Sequence, residues 1–137
     1  MPSLRPSLRP SLRGAPARVP GGRRAVEVGE RPEKRPGGRM GWLLLDDEFF
    51  TRLGIRDEVE LVYVTPLDGA FTKPTANKVL SYLIAEKGIK IETEFNTGEV
   101  DAAGHTLRSF DERSVPYDLL VSIPTHGGAP FVEASGL

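Results

Sequence analysis

Val59-Glu60-Leu61-Val62-Tyr63-Val64, then Pro74 to Glu86, then Ile89-Lys90-Ile91-Glu92-Thr93-Glu94-Phe95 form the stretch that decides the fold. The first six residues are dense in β-branched, aliphatic and aromatic side chains and read as a strand. It runs into Thr65-Pro66, where a proline with no N–H to donate cannot continue a central strand. After the loop Leu67 to Lys73, Thr72 is placed to cap a helix and Pro74 suits its first turn, with Ala76, Val79, Leu80, Leu83 and Ile84 recurring on one face. Gly88 ends that helix, and Ile89, Ile91, Thr93 and Phe95 then alternate with polar residues, the period of a strand with one better-buried face. Strand, helix and strand joined by short links make a right-handed crossover, so 59–64 and 89–95 are expected to be parallel neighbours.

Working outward, Trp42, Leu45, Phe49 and Leu53 fall at i, i+3, i+7 and i+11 and predict a helix closed by Gly54 in a left-handed cap. Asp46, Asp47, Glu48 and Arg52 occupy its other positions and read as a solvated face, because successive helical carboxylates point apart and do not converge on a metal. Before it, Ala25-Val26-Glu27-Val28 has strand composition and Gly29 to Arg39 is turn-rich. Toward the C-terminus, Gly98-Asp101 and Thr106-Phe110 predict a hairpin turning at Ala102-Ala103-Gly104-His105. The almost wholly apolar Tyr117 to Ile123 suits a strand covered on both faces at the middle of a parallel sheet. The expected fold over 24–137 is α/β, a Rossmann-like parallel sheet with a small antiparallel β excursion, read β-α-β-α-β-β-β-β.

Residues 1–23 differ in kind. Pro-Ser-Leu-Arg repeats three times from Pro2 to Arg13, and the segment holds five arginines and no acid, leaving the rest of the 137-residue chain with 13 basic and 19 acidic residues. A proline-punctuated tract with so little apolar content cannot offset its ordering entropy, so a disordered arm is expected. The arm reads as an extension without a role rather than as a basic arm for nucleic acid or an acidic membrane surface. No aromatic residue is interleaved to stack on bases, which argues against nucleic acid. The chain has no cysteine, which excludes disulfides, thiolate metal sites and a redox dithiol. Its apolar runs fall far short of the roughly 20 residues that span a bilayer. Prolines break any targeting helix in the first 20 residues, so a cytoplasmic protein is the expectation.

Ligands of open parallel sheets sit beyond the carboxyl ends of the strands. Two loops are expected there, one opening with Thr65 and Pro66 and one holding Pro124 and His126. A His between proline- and glycine-containing segments could move a proton beside a cofactor; it reads more readily as a loop histidine bonded to backbone or water. His105, on the hairpin turn, suggests no role. The standard dinucleotide signature is missing: Gly29 to Gly38 contains no G-x-G-x-x-G, and the strand at 59–64 ends in Thr65-Pro66 where an acid would hold a ribose. Tight binding of NAD or NADP is therefore disfavoured, and neither a P-loop nor a serine-nucleophile motif is present.

The motifs Leu44-Leu45-Asp46-Asp47-Glu48-Phe49-Phe50-Thr51-Arg52-Leu53-Gly54-Ile55-Arg56-Asp57, Val59 to Pro66, Glu86-Lys87-Gly88-Ile89, Phe95-Asn96-Thr97 and Pro116 to Ala129 follow in an order and spacing that resemble sulfide:quinone oxidoreductases, a branch of the FAD-dependent pyridine-nucleotide-disulfide oxidoreductase class. The resemblance covers Leu43 to Leu137 and only the second dinucleotide-binding-type domain. It implies a flavoprotein that binds FAD in a complete enzyme and passes electrons to an acceptor such as a quinone, with Thr65, Pro66, Pro124 and His126 on flavin-facing loops. It also implies that the domain's first strand, here 25–28, fills a slot between 59–64 and 118–123. Members of the branch carry a cysteine just before the first helix; in this sequence Arg35 stands nearest that position, and a guanidinium cannot form a persulfide. The resemblance thus implies a domain that lacks the catalytic parts and is inactive alone, the alternative being a non-catalytic interaction module on the same scaffold.

Overall fold

A computed structural model describes residues 22–27, 38–122 and 130–136. The elements in order are β1 (Gly22–Glu27), α1 (Gly38–Arg52), a short 3-10 turn (Arg56–Glu58), β2 (Val59–Val64), α2 (Pro74–Glu86), β3 (Lys90–Glu92), β4 (Thr97–Asp101), β5 (Thr106–Ser109), β6 (Ser114–Pro116), β7 (Leu119–Val121) and α3 (Pro130–Ala134). A four-stranded parallel sheet has the order β3-β2-β1-β7, and a three-stranded antiparallel sheet the order β4-β5-β6. The expected α/β fold with an antiparallel excursion is the one observed.

β1 pairs with β2 along its whole length, Gly22 opposite Val59 to Glu27 opposite Val64, and with β7 on its other side, Arg24 opposite Leu119 to Val26 opposite Val121. The slot between 59–64 and the last strand is thus filled by the segment that the sequence placed there. The strand begins at Gly22, so Gly22 and Arg23 belong to the sheet; residues 1–21 and Val28 lie outside the described residues.

β2 is buried on both faces. Val59, Leu61 and Tyr63 pack with Met40, Leu43 and Phe50 of α1, Ile84 of α2, and Ala70 and Ile89. Val62 and Val64 point the other way and pack with Phe95, Leu107 and Val115 under the antiparallel sheet. Helices, parallel sheet and antiparallel sheet therefore form three layers with two apolar seams, and the alternation of side chains along one strand divides them.

Several expectations are corrected. The last strand was expected mid-sheet and covered on both faces; among the described residues β7 has β1 as its strand neighbour, and Leu119, Leu120 and Val121 are only half-buried. β6 was not foreseen, because three residues ending in proline carry no periodicity; at the edge of its sheet Pro116 costs no ladder bond. β3 is shorter than 89–95 because Glu94 turns the chain at φ 53°. Phe95 is nonetheless fully buried, its N–H bonded to Thr65 O. The residue before α2 is Lys73, with no side-chain cap, and Pro74 is in the first turn as expected. Of the expected apolar face of α2 only Ile84 is buried, and Val79 is exposed.

The largest correction concerns α1. Trp42, Leu45, Phe49 and Leu53 are 38%, 69%, 38% and 54% exposed, while Met40, Leu43 and Phe50 face the core together with Arg39, Asp46 and Asp47. The helix is rotated from the orientation that its apolar stripe predicts. Gly54 (φ 73°) closes it as expected, with Ile55 N–H returning to Phe50 O.

Candidate functional site

All four parallel strands end on one edge of the sheet, since Glu27 aligns with Val64, Val26 with Val121 and Val64 with Glu92. The loop after β2 leaves from that edge, where a ligand of such a sheet would lie. Thr65 is fully buried there. Its N–H donates to Glu92 O at 2.9 Å, its carbonyl accepts from Phe95 N–H at 2.9 Å, and its Oγ1 accepts from Leu67 N–H at 3.2 Å. Pro66, half-buried, brings no N–H. Thr65 thus stitches β2 to the turn after β3, and its hydrogen-bonding groups are engaged by protein. Pro124 and His126, the other two expected flavin-facing residues, lie outside the described residues, as does Arg35.

The loop continues through Gly69 and Ala70, both buried, into α2. Asn77 organises it: its Oδ1 accepts from Phe71 N–H and from Ser81 Oγ, each at 3.2 Å. A Cβ on Gly69 would crowd that amide, so glycine lets Asn77 approach the loop this closely. The exposed rim of the edge carries Asp68, Thr72 and Lys73.

A second polar cluster lies at the opposite edge. Asp47 accepts from Arg56 Nε and from Lys87 Nζ, each at 2.7 Å, and Arg56 also donates to Val59 O and Lys87 O at 2.8 Å. Burial pushes the Asp47 carboxyl up, but the hydrogen bonds and charges of Arg56 and Lys87 outweigh it and hold the group below its ordinary range. Lys87 is raised, chiefly by its bond to Asp47. This cluster joins α1 to the start of β2 and the end of α2. Every member serves another, so it reads as a structural clamp. Periodicity missed it because a buried carboxylate on an otherwise apolar face looks like an exposed one until its cations are located. Among the described residues no group of three or more His, Asp or Glu side chains could hold a metal, and no helix is long and apolar enough to cross a membrane.

Fold and edge together define a Rossmann-like α/β domain. Among solved structures, the chain is similar to the sulfide:quinone oxidoreductase of the hyperthermophilic bacterium Aquifex aeolicus, with a TM-score of 0.72 and 16% identity over 95% of this chain and 31% of that one. It is also similar to a chain of the Tetrahymena thermophila mitochondrial ATP synthase (TM-score 0.66, 16% identity, 90% of this chain and 32% of that one). A ferredoxin reductase from Rhodopseudomonas palustris follows, with a TM-score of 0.55 and 16% identity over 83% of this chain and 26% of that one. No protein-family model and no curated protein matches the chain. The chain spans about a third of the length of the first of these solved structures.

Proposed function

We propose that the chain is the second dinucleotide-binding-type domain of a sulfide:quinone oxidoreductase-like flavoprotein, without turnover of its own. The observation that carries this reading is the sheet order β3-β2-β1-β7, with the short first strand seated between the crossover pair and the last strand, together with the likeness of nearly the whole chain to one segment of a sulfide:quinone oxidoreductase. In a complete enzyme of that kind FAD would carry the electrons, and a quinone would be the acceptor class.

The described residues do not fit a domain that holds the flavin unaided. Thr65 spends its groups on protein and Pro66 has no donor. No sulfur nucleophile exists anywhere in the sequence. The role left to this domain is to support the flavin-facing edge, with Thr65 fixing the loop after β2. The purified chain is expected to be colourless and to take up no FAD from solution, by absorbance and by fluorescence titration. A stoichiometric yellow complex would overturn the reading of an inactive domain.

A second reading, a non-catalytic interaction module, is favoured by one observation, the apolar outer face of α1. The occurrence of a similar fold in a chain of an ATP synthase assembly is compatible with it. Electron transfer to a quinone analogue when the chain is supplied within a longer flavoprotein would separate the two readings, since a pure module would be dispensable for it.

A further inference from the structure

Trp42, Leu45, Phe49 and Leu53 lie within a narrow strip of α1, and at about 100° per residue that strip is roughly 150° around the helix from Asp47. Asp47 points to Lys87, so the strip is on the side of α1 turned away from the end of α2. The four side chains expose on the order of 400 Å², the size of the largest apolar patch on a typical monomer, which is often functional.

Gly41 borders this strip, one turn before Leu45 and on its side. A Cβ there would meet nothing within 4 Å, so the fold itself does not require glycine. Glycine inside a helix costs about 1 kcal/mol relative to alanine, and a close-approaching neighbour is the ordinary compensation. Two turns further along α1 is a fixed knob: the Phe49 ring stands edge-on against buried Phe50, with centroids 5.2 Å apart and planes at 80°.

We infer that this strip is a self-association surface on which α1 of a second copy packs antiparallel about a two-fold axis at Leu45. The register follows from the sequence. Gly41 is four residues before Leu45 and Phe49 four after, so each Phe49 falls opposite the Gly41 notch of the other copy while Leu45 meets Leu45. Trp42 then lies beside Glu48, and Arg52 opposite Gly38, so no like charges are brought face to face. A two-fold interface must complement itself in this way. In this register Leu53 passes beyond the start of the partner's α1, so Trp42, Leu45 and Phe49 supply somewhat under half of what one partner contributes to a standard-size interface, and with the rim residues Glu48 and Arg52 the pairing is of the weak, reversible kind. The inference does not depend on the flavoprotein reading.

Sedimentation velocity of the full chain between about 10 μM and 1 mM tests it. The wild-type protein is expected to shift from monomer toward dimer across that range. Gly41→Leu fills the notch and is expected to weaken association at least tenfold while leaving the melting temperature equal or higher, and Leu45→Glu is expected to weaken it to a similar degree. A wild-type chain monomeric throughout would assign the strip to some other partner and overturn the proposal, as would a Gly41→Leu variant that associates like the wild type.

Discussion

Asp47 shows how far one residue's role depends on its surroundings. Its sequence neighbours make it one of three successive acids on a helix, yet it is buried between Arg56 and Lys87. Removing it leaves two partly exposed cations facing each other without their shared carboxylate. Because Lys87 is a third exposed, Asp47→Ala is expected to cost about 3 kcal/mol, the low end for breaking a buried ion pair, measurable by denaturant unfolding. The carboxyl's pKa is lowered in the folded protein from its ordinary 3.8. Its contribution is therefore complete above that value and lost as pH falls through the lower, folded one. The acid limb of the wild-type stability curve should be steeper than that of Asp47→Asn; superimposable limbs would show that the clamp contributes nothing. Arg113 acts comparably at the far side of the sheet. It donates to Thr93 O and Glu94 O at 3.1 and 2.7 Å, and its guanidinium lies 5.4 Å from the centre of the Phe95 ring. It thereby holds the positive-φ turn at Glu94.

For elements, α1 gives the sharpest test, because its pattern and its packing disagree. By periodicity Leu45 belongs to the core stripe and Leu43 does not. In the structure Leu43 has no exposed surface and Leu45 is 69% exposed. Leu43→Ala is expected to cost about 2–5 kcal/mol, as for a buried leucine, and Leu45→Ala at most about 0.5 kcal/mol. A larger loss at Leu45 than at Leu43 would mean that the helix sits as the pattern alone suggests. The reason for the disagreement is physical. A helix with apolar residues on most of its circumference has more than one face that can be buried, and the clamp from Asp47 to Arg56 and Lys87 selects the one that brings a carboxylate inward. Elements with a single solution were legible: β2, the crossover to β3, the β4–β5 hairpin and the glycine stops at Gly54 and Gly88 all fall within a few residues of their expected places.

Across the whole molecule, the decisive contact is made by its least regular segment. β1 joins the crossover pair to β7, and without it Val59 to Val64 and Leu119 to Val121 have no strand between them. A chain starting at Gly22 is expected to melt within a few degrees of the full chain, whereas one starting at Val28 should lose cooperative unfolding, followed by circular dichroism. If the shorter chain unfolds as cooperatively as the longer, β1 is not integral to the sheet.

The sequence by itself determined the α/β class, the parallel neighbours, the hairpin and the absence of a sulfur nucleophile or a phosphate-binding glycine turn. These follow from local periods, turn residues and composition. Half of the expected ligand edge, Thr65 and Pro66, was legible as to position but not as to state. That Thr65 is buried and engaged on three sides follows from the turn after β3 folding back on it, a contact between residues nearly thirty positions apart. Tertiary structure alone decided which face of α1 is buried, that β2 and not the last strand is covered on both sides, and that Asp47 is a clamp. Burial is a property of what packs opposite a residue, and a one-dimensional pattern records only that a face could be covered, never by what.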